Sequence, residues 1–364
     1  MVPVAGRLDR VQAWLDAERV PAAYLTDPVS IGYLTGFLTH PGERLMALVL
    51  RSSGGVLVVP ALERESAEAR VAGLPVMAWQ DGSDPFTKVA EALGQVPLLA
   101  VEKSHLSLAA AERLRDRVGA IRLVDAGPEL RRQRAVKSAG ELDALGRAAA
   151  LTDRVWEEAG GRLRGGQGEL EAAALVDGLV AGAGGKLSFE TIVQSGPNGA
   201  LPHLRPTSRR LQAGDLVLVD FGASLDGYKG DLTRMAVVGE PTSRQLELHQ
   251  LVLAAHDAAL AAVRPGVTAG AVDAAARQVI QAAGLGDRFI HRIGHGLGLE
   301  AHEHPSLDPG SDTVLEAGMV VTIEPGVYLP GWGGIRIEDD VVVEAGGARL
   351  LTQAPHPLRV VAAS

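Results

Sequence analysis

The apolar positions at the start of the chain keep a helical rhythm. Over residues 7–18, Leu8, Val11, Trp14 and Leu15 fall on one face, which predicts an amphipathic helix. Short apolar runs of strand type follow, AAYLT at 22–26 and LMALVL at 45–50, then GVLVVP, PVMAW and PLLAVE. Helical segments separate them near 62–70, 84–93 and 107–118. Helix and strand alternating in this way predict a modest α/β layer domain. It contains neither a phosphate-binding glycine loop nor a cluster of acids and histidines.

The rhythm changes after residue 125. Asp125, Gly127 and Pro128 form a turn, and residues 125–145 read as the junction between two domains, 1–128 and 129–364. Ser138 with Glu141 three positions on is a capping box, the start of a long helix. Further helices are expected around 168–182, 243–263 and 269–283. Strand-like segments lie between and after them: DLVLVDFGAS, TRMAVVG, GMVVTIEPGVYL and GIRIEDDVVVE.

Composition narrows the function. A length of 364 residues suits two domains. With 46% hydrophobic and 22% charged residues the chain has the makeup of a soluble protein with a substantial core. Aromatics make up only 4%, so that core rests on Leu, Val and Ala. No apolar run approaches the roughly 18 residues that span a bilayer. The opening MVPVAGRLDRVQAWLDAE lacks the basic and apolar regions of a signal peptide, so a cytoplasmic location without a membrane partner is expected. The absence of cysteine excludes disulfides, thiolate metal sites and a cysteine nucleophile. A net charge of −9, spread along the chain, argues against nucleic acid as a partner.

The chemistry is concentrated near the C-terminal end, in Asp220, Asp231, His295, Glu324 and Glu338. Asp220 ends the run LVLVD and Asp231 opens DLTRMAVV, with the turn signal Asp226-Gly227 between them. A hairpin centred between Leu225 and Asp226 would set the two acids directly opposite, about 5 Å apart. Glu324 and Glu338 repeat the pattern about Gly331, in the turn GWGG. Two ionised carboxylates that close repel, and a bound cation turns them into ligands. His295 joins them from RIGHGLGLE, where glycines allow close backbone approach. Four carboxylates and one imidazole suit a two-ion site that activates water, with Mn²⁺, Co²⁺ or Zn²⁺. A single acid at a strand end is usually just solvated; the ordered set of five on two hairpins is far more specific. Four of the ten histidines fall between 291 and 304, and His291 and His302 read as site residues, with His304 beside them. Arg336 shares the strand face of Glu338, as an orienting partner or a substrate contact. His203 reads, from its surroundings alone, as a loop residue.

The segments FETIVQSGPNGALPH, GDLVLVDFGASLDGYKGDLTR, HRIGHGLGLEAHEHP, GMVVTIEPGVY and GGIRIED resemble the pita-bread metallopeptidases, which include Xaa-Pro dipeptidase (prolidase), aminopeptidase P and methionine aminopeptidase. RLDRVQAWLDAERVPAAYLTDPVSIGYLTGF resembles their creatinase-type N-terminal domain. The resemblance implies an α/β N-terminal domain followed by an α+β pita-bread catalytic domain. It also implies two divalent ions, held by Asp220, Asp231, His295, Glu324 and Glu338, with Asp231 and Glu338 bridging. Glu324 would move a proton and His302 would stabilise the tetrahedral intermediate. His203 would face the substrate, against the reading above, and His291 would line the proline pocket. Tyr228 and Arg336 would orient the bridging acids or touch substrate. Mn²⁺ is the expected ion, and the resemblance implies a homodimer acting on small proline-containing peptides.

The N-terminal domain argues against methionine aminopeptidase, and the intact ligand set argues against a family member that only binds. The short chain favours Xaa-Pro dipeptidase over aminopeptidase P. Arg44, in HPGERL, is offered as a site for the substrate carboxylate, beside its reading as a solvated turn residue.

Overall fold

In the strand Leu216–Phe221 consecutive side chains enter two different cores. Leu216 and Leu218 pack with Met235, Val237, Val321, Ile323 and Val341. Val217, Val219 and Phe221 pack with Leu151, Val155 and Trp156. A strand covered on both faces reads as a continuous apolar run, which is why LVLV shows no alternation.

The structure, a computed structural model, describes residues 2, 4–119 and 122–363. The chain forms two compact units, Met1–Arg134 and Ala135–Ser364. The helix Gly127–Ala135 therefore belongs almost wholly to the first unit.

In the first unit six strands form one mixed sheet, in the order Val76–Trp79, Gly54–Pro60, Ala47–Arg51, Ala22–Leu25, Leu98–Val101 and Arg122–Asp125. The helices Arg7–Ala17, Arg64–Arg70, Pro85–Leu93 and Leu108–Val118 lie where the periodicity predicts them. Pro28–Thr35 is a helix that the pattern does not announce, because most of its residues are buried and no polar face marks a period. Its signal is local: Asp27 accepts a hydrogen bond from Val29 N and Pro28 takes the first helical position. Arg44 grips Asp81 through Nε (3.0 Å) and Nη2 (2.9 Å). That pair engages the guanidinium offered above as a site for the substrate carboxylate.

In the second unit the helix Ala139–Gly160 starts at the expected capping box. Ser138 N donates to Glu141 Oε2 (3.0 Å) and Glu141 N to Ser138 Oγ (3.4 Å). Glu169–Gly182 packs beside it, and Ser243–Ala262 packs against Ala269–Ala282. One sheet runs Arg359–Val361, Leu232–Val238, Leu216–Phe221, Ile192–Ser195. A second, larger sheet runs Glu303–Ser306, His295–Gly296, Val320–Ile323, Asp339–Glu344, Gly347–Leu350. Among the described residues, no helix is long and apolar enough to cross a membrane.

Candidate metal centre

Both acid pairs lie on hairpins, but the two registers differ from expectation in different ways. Ile323 pairs with Asp339 and Gly326 with Arg336, so the ladders on either side of Glu324 and Glu338 are symmetric about Gly331. That is the register the sequence predicts. The first hairpin is shifted. Asp226 and Gly227 have φ of 51° and 88° and form the two-residue turn themselves. Leu225 therefore pairs with Tyr228, and Asp220 with Thr233 rather than with Asp231. Asp220 and Asp231 remain on one face as diagonal neighbours, with Thr233 directly opposite Asp220.

Thr233 places a fully buried hydroxyl there. It donates to Glu338 Oε2 (2.6 Å) and accepts from Arg336 Nε (3.0 Å). Its face follows from Asp231 two residues earlier, a signal the sequence held. Thr233→Val should leave both partners short of a hydrogen bond, at about 1–3 kcal/mol. The expected result is divalent-ion affinity lowered about 10- to 100-fold, measured by titration of chelator-treated protein.

A cavity of about 560 Å³ opens over these strands. Asp220, Asp231, His295, Glu324, Glu338 and Arg336 line it, together with His203, His291 and His302. The loop histidine His203 thus faces the cavity, as the family resemblance implies and its local surroundings did not. His304 is absent from the wall. Tyr228 is absent too, and its hydroxyl donates to Glu141 Oε1 (3.1 Å) on the long helix. The phenol that touches the site arginine is Tyr328: Arg336 Nη1 donates to its oxygen (3.0 Å), which also bonds His291 Nε2 (2.8 Å). Arg292 and Arg205 also line the cavity, and sequence reasoning missed both.

Ligand atoms of Asp231, His295 and Glu338, all buried, lie within 4.8 Å of one another. His295 Nε2 is 3.3 Å from Glu324 Oε1 and 3.9 Å from Asp231 Oδ2. The remaining nitrogen, Nδ1, is 3.2 Å from Gly296 O, which leaves Nε2 directed at the acids. Asp220 Oδ2 accepts from Arg336 Nη2 (2.5 Å), while its Oδ1 is buried with no hydrogen-bond partner.

Burial dominates the electrostatics. It pushes the Asp231 carboxyl well above its ordinary range, and the charges of Glu338 and Asp220 push it further. Glu338 rises for the same reason, with Glu324 and Asp220 as neighbours. Glu324 reaches about 7, burial outweighing the opposing guanidinium of Arg336. Burial and then the neighbouring His302 take His295 down to about 3, so its lone pair is free at neutral pH. Four acids crowded beside the guanidinium of Arg336 cannot all ionise without added positive charge. The orphaned oxygen of Asp220, the tight oxygen–nitrogen cluster and the neutral imidazole together fit divalent metal ions.

The fold and site are those of a two-domain metallohydrolase, and comparison with known proteins narrows the class. Residues 143–345 match the family model for metallopeptidase family M24, and residues 7–136 match the creatinase/prolidase N-terminal domain. The chain is 37% identical to an Xaa-Pro dipeptidase of Lactobacillus helveticus, covering 97% of this chain and 98% of that protein. The prolidase structure from Thermococcus sibiricus superposes with a TM-score of 0.93 at 34% identity, over 99% and 100% of the two chains. An X-Pro aminopeptidase structure from Thermotoga maritima gives 0.88 at 30% identity, over 98% and 100%. The chain belongs to metallopeptidase family M24, the family its motifs resemble, with a creatinase-type N-terminal domain and a pita-bread catalytic domain.

Proposed function

We propose that the protein is an Xaa-Pro dipeptidase that uses two divalent metal ions, Mn²⁺ in preference to Co²⁺ or Zn²⁺. Asp220, Asp231, His295, Glu324 and Glu338 would hold the ions, with Asp231 and Glu338 shared between them. Bound there, they would activate water and polarise the carbonyl of the X residue.

The protein's own groups do the rest. Glu324 lines the cavity beside His295 and is the carboxylate that would take a proton from the water and return it. His302 is held neutral mainly by burial and then by Arg292, so its N–H can donate to the developing oxyanion. His203 faces the substrate from the opposite loop. Burial and the Arg336 charge take His291 down to about 3. With its Nε2 tied to Tyr328, it forms a neutral wall for the proline ring. Arg336 holds Asp220 in place, the orienting role that resemblance also gave to Tyr228.

The observation that carries the choice of a dipeptidase is Arg292. It lines the cavity, donates from Nη1 to Ser306 Oγ (2.6 Å), and makes no direct ion pair among the described residues, its charge reaching Glu324 only at longer range. Arg205, by contrast, is paired with Glu190 (3.2 Å). A fixed unpaired guanidinium suits the free carboxylate of a C-terminal proline. The same fold also serves an aminopeptidase in Thermotoga maritima, so the overall likeness does not decide between the two activities. A panel of X-Pro, X-Pro-Y and longer peptides with Mn²⁺ tests the reading. Turnover is expected on X-Pro alone, and comparable rates on X-Pro-Y would replace it with aminopeptidase P. We further propose a cytoplasmic homodimer.

A further inference from the structure

Glu338 and Asp339 are consecutive in extended chain, so their side chains leave on opposite faces. Glu338 lines the cavity, whereas Asp339 is fully buried and absent from its wall. Asp339 Oδ2 lies 3.0 Å from His256 Nε2 and 2.6 Å from His356 Nε2. Its other oxygen, Oδ1, accepts from Arg234 Nη2 (2.6 Å) and Thr352 Oγ1 (2.7 Å). His256 comes from the helix Ser243–Ala262, and His356 from the segment leading into the strand Arg359–Val361.

The unusual member is His256. It is completely buried, and its Nε2 has no aligned hydrogen-bond partner although the Asp339 oxygen is so close. Its Nδ1 lies 3.5 Å from Asp257 Oδ1. In the tautomer with the proton on Nδ1, the Nε2 lone pair faces a carboxylate oxygen, and a cation between the two removes their repulsion. An imidazole whose second nitrogen points to a carboxylate is the common arrangement of a histidine metal ligand. Donors bound about 2.0–2.2 Å from one ion sit roughly 3 Å or more apart; the His256–Asp339 pair at 3.0 Å approaches that spacing, and the His356–Asp339 pair at 2.6 Å opens from hydrogen-bond distance to reach it.

We infer that His256, Asp339 and His356 form a further metal site, for Zn²⁺ or a similar divalent transition ion, separate from the five-residue centre. Two imidazoles and a carboxylate are the donors such ions take, whereas Ca²⁺ and Mg²⁺ favour oxygen alone. Arg234 is the nearby cation, and Asp340 and Asp153 lie close enough to Asp339 to interact with it. The His356 side chain is 26% exposed, which gives the ion an entry path and a water as fourth ligand. The bound ion ties the C-terminal segment to the helix Ser243–Ala262 and to the strand that follows Glu338.

The test is elemental analysis of the full chain after chelator treatment and reloading with Zn²⁺, with anomalous diffraction to locate each ion. The expected result is an anomalous peak among His256, Asp339 and His356, in addition to any at the five-residue centre. His356→Ala, at a partly exposed position, should lose that peak and one equivalent of zinc while retaining the ions of the other centre. His256→Gln should do the same. No peak there in zinc-saturated crystals, or an unchanged zinc count in folded His356→Ala, overturns the site. The peaks are located independently, so failure here is distinguishable from failure at the five-residue centre.

Discussion

Glu338→Gln should lower kcat/KM on an X-Pro dipeptide by about a thousandfold or more, because it removes a ligand charge supporting several kcal/mol of transition-state stabilisation. The side chain keeps its shape, and its amide oxygen can still accept from Thr233 Oγ1. Packing should therefore survive, and a second readout separates lost chemistry from lost structure. Burial and neighbouring acids raise the Glu338 pKa in the metal-free protein. A carboxyl with a raised folded-state pKa contributes stability that is present below its unfolded value and lost as pH rises through the folded one. Glutamine does not titrate. Metal-free Glu338→Gln should therefore lose less stability than the metal-free parent as pH rises from about 4.5 to neutrality. With Mn²⁺ added the order should reverse, since only the parent holds its ions fully. The measurements are thermal melts with chelator and with Mn²⁺, beside turnover. Retained turnover in a folded variant, or melting curves that are the same for both proteins with and without metal, would sink the ligand role.

The parts of this site that were legible in the sequence are those set by local rules. The capping box at Ser138 starts its helix because two side chains satisfy two backbone donors within a single turn. The register of the second hairpin follows from GWGG, whose centre at Gly331 is unambiguous. The first hairpin is shifted from a centre between Leu225 and Asp226 because Asp226 and Gly227 themselves form the turn, in left-handed conformation. One residue of shift in the centre moves the partner by two. The acids thus stayed on the right face but opposite the wrong neighbours. What a sequence does not announce is which distant side chains meet. Tyr328 reaches His291 across 37 positions, while Tyr228, closer to the acids in sequence, bonds Glu141 instead. Arg292 sits next to a predicted site histidine, but nothing in its surroundings says that its guanidinium lacks a carboxylate.

Arg292→Ala should lower kcat/KM on X-Pro dipeptides by about 10- to 100-fold, the value of a hydrogen bond to a charged group. The loss should be specific to substrates with a free proline carboxylate. X-Pro-amide, which presents no anion there, should be cleaved at a similar low rate by both proteins. Arg292→Lys keeps the charge but loses the planar fork, so it should recover only part of the loss. Most of the effect should appear in KM, because the carboxylate is remote from the scissile bond and is bound alike in ground and transition states. Arg292 also helps keep His302 neutral, so the variant should raise the pKa of that imidazole. The acid limb of the kcat profile then moves to higher pH, a shift that simple loss of packing would not produce. If Arg292→Ala slowed X-Pro and X-Pro-amide equally, the arginine would be supporting the loop rather than reading the substrate's end. The choice of a dipeptidase over an aminopeptidase would then lose its structural basis.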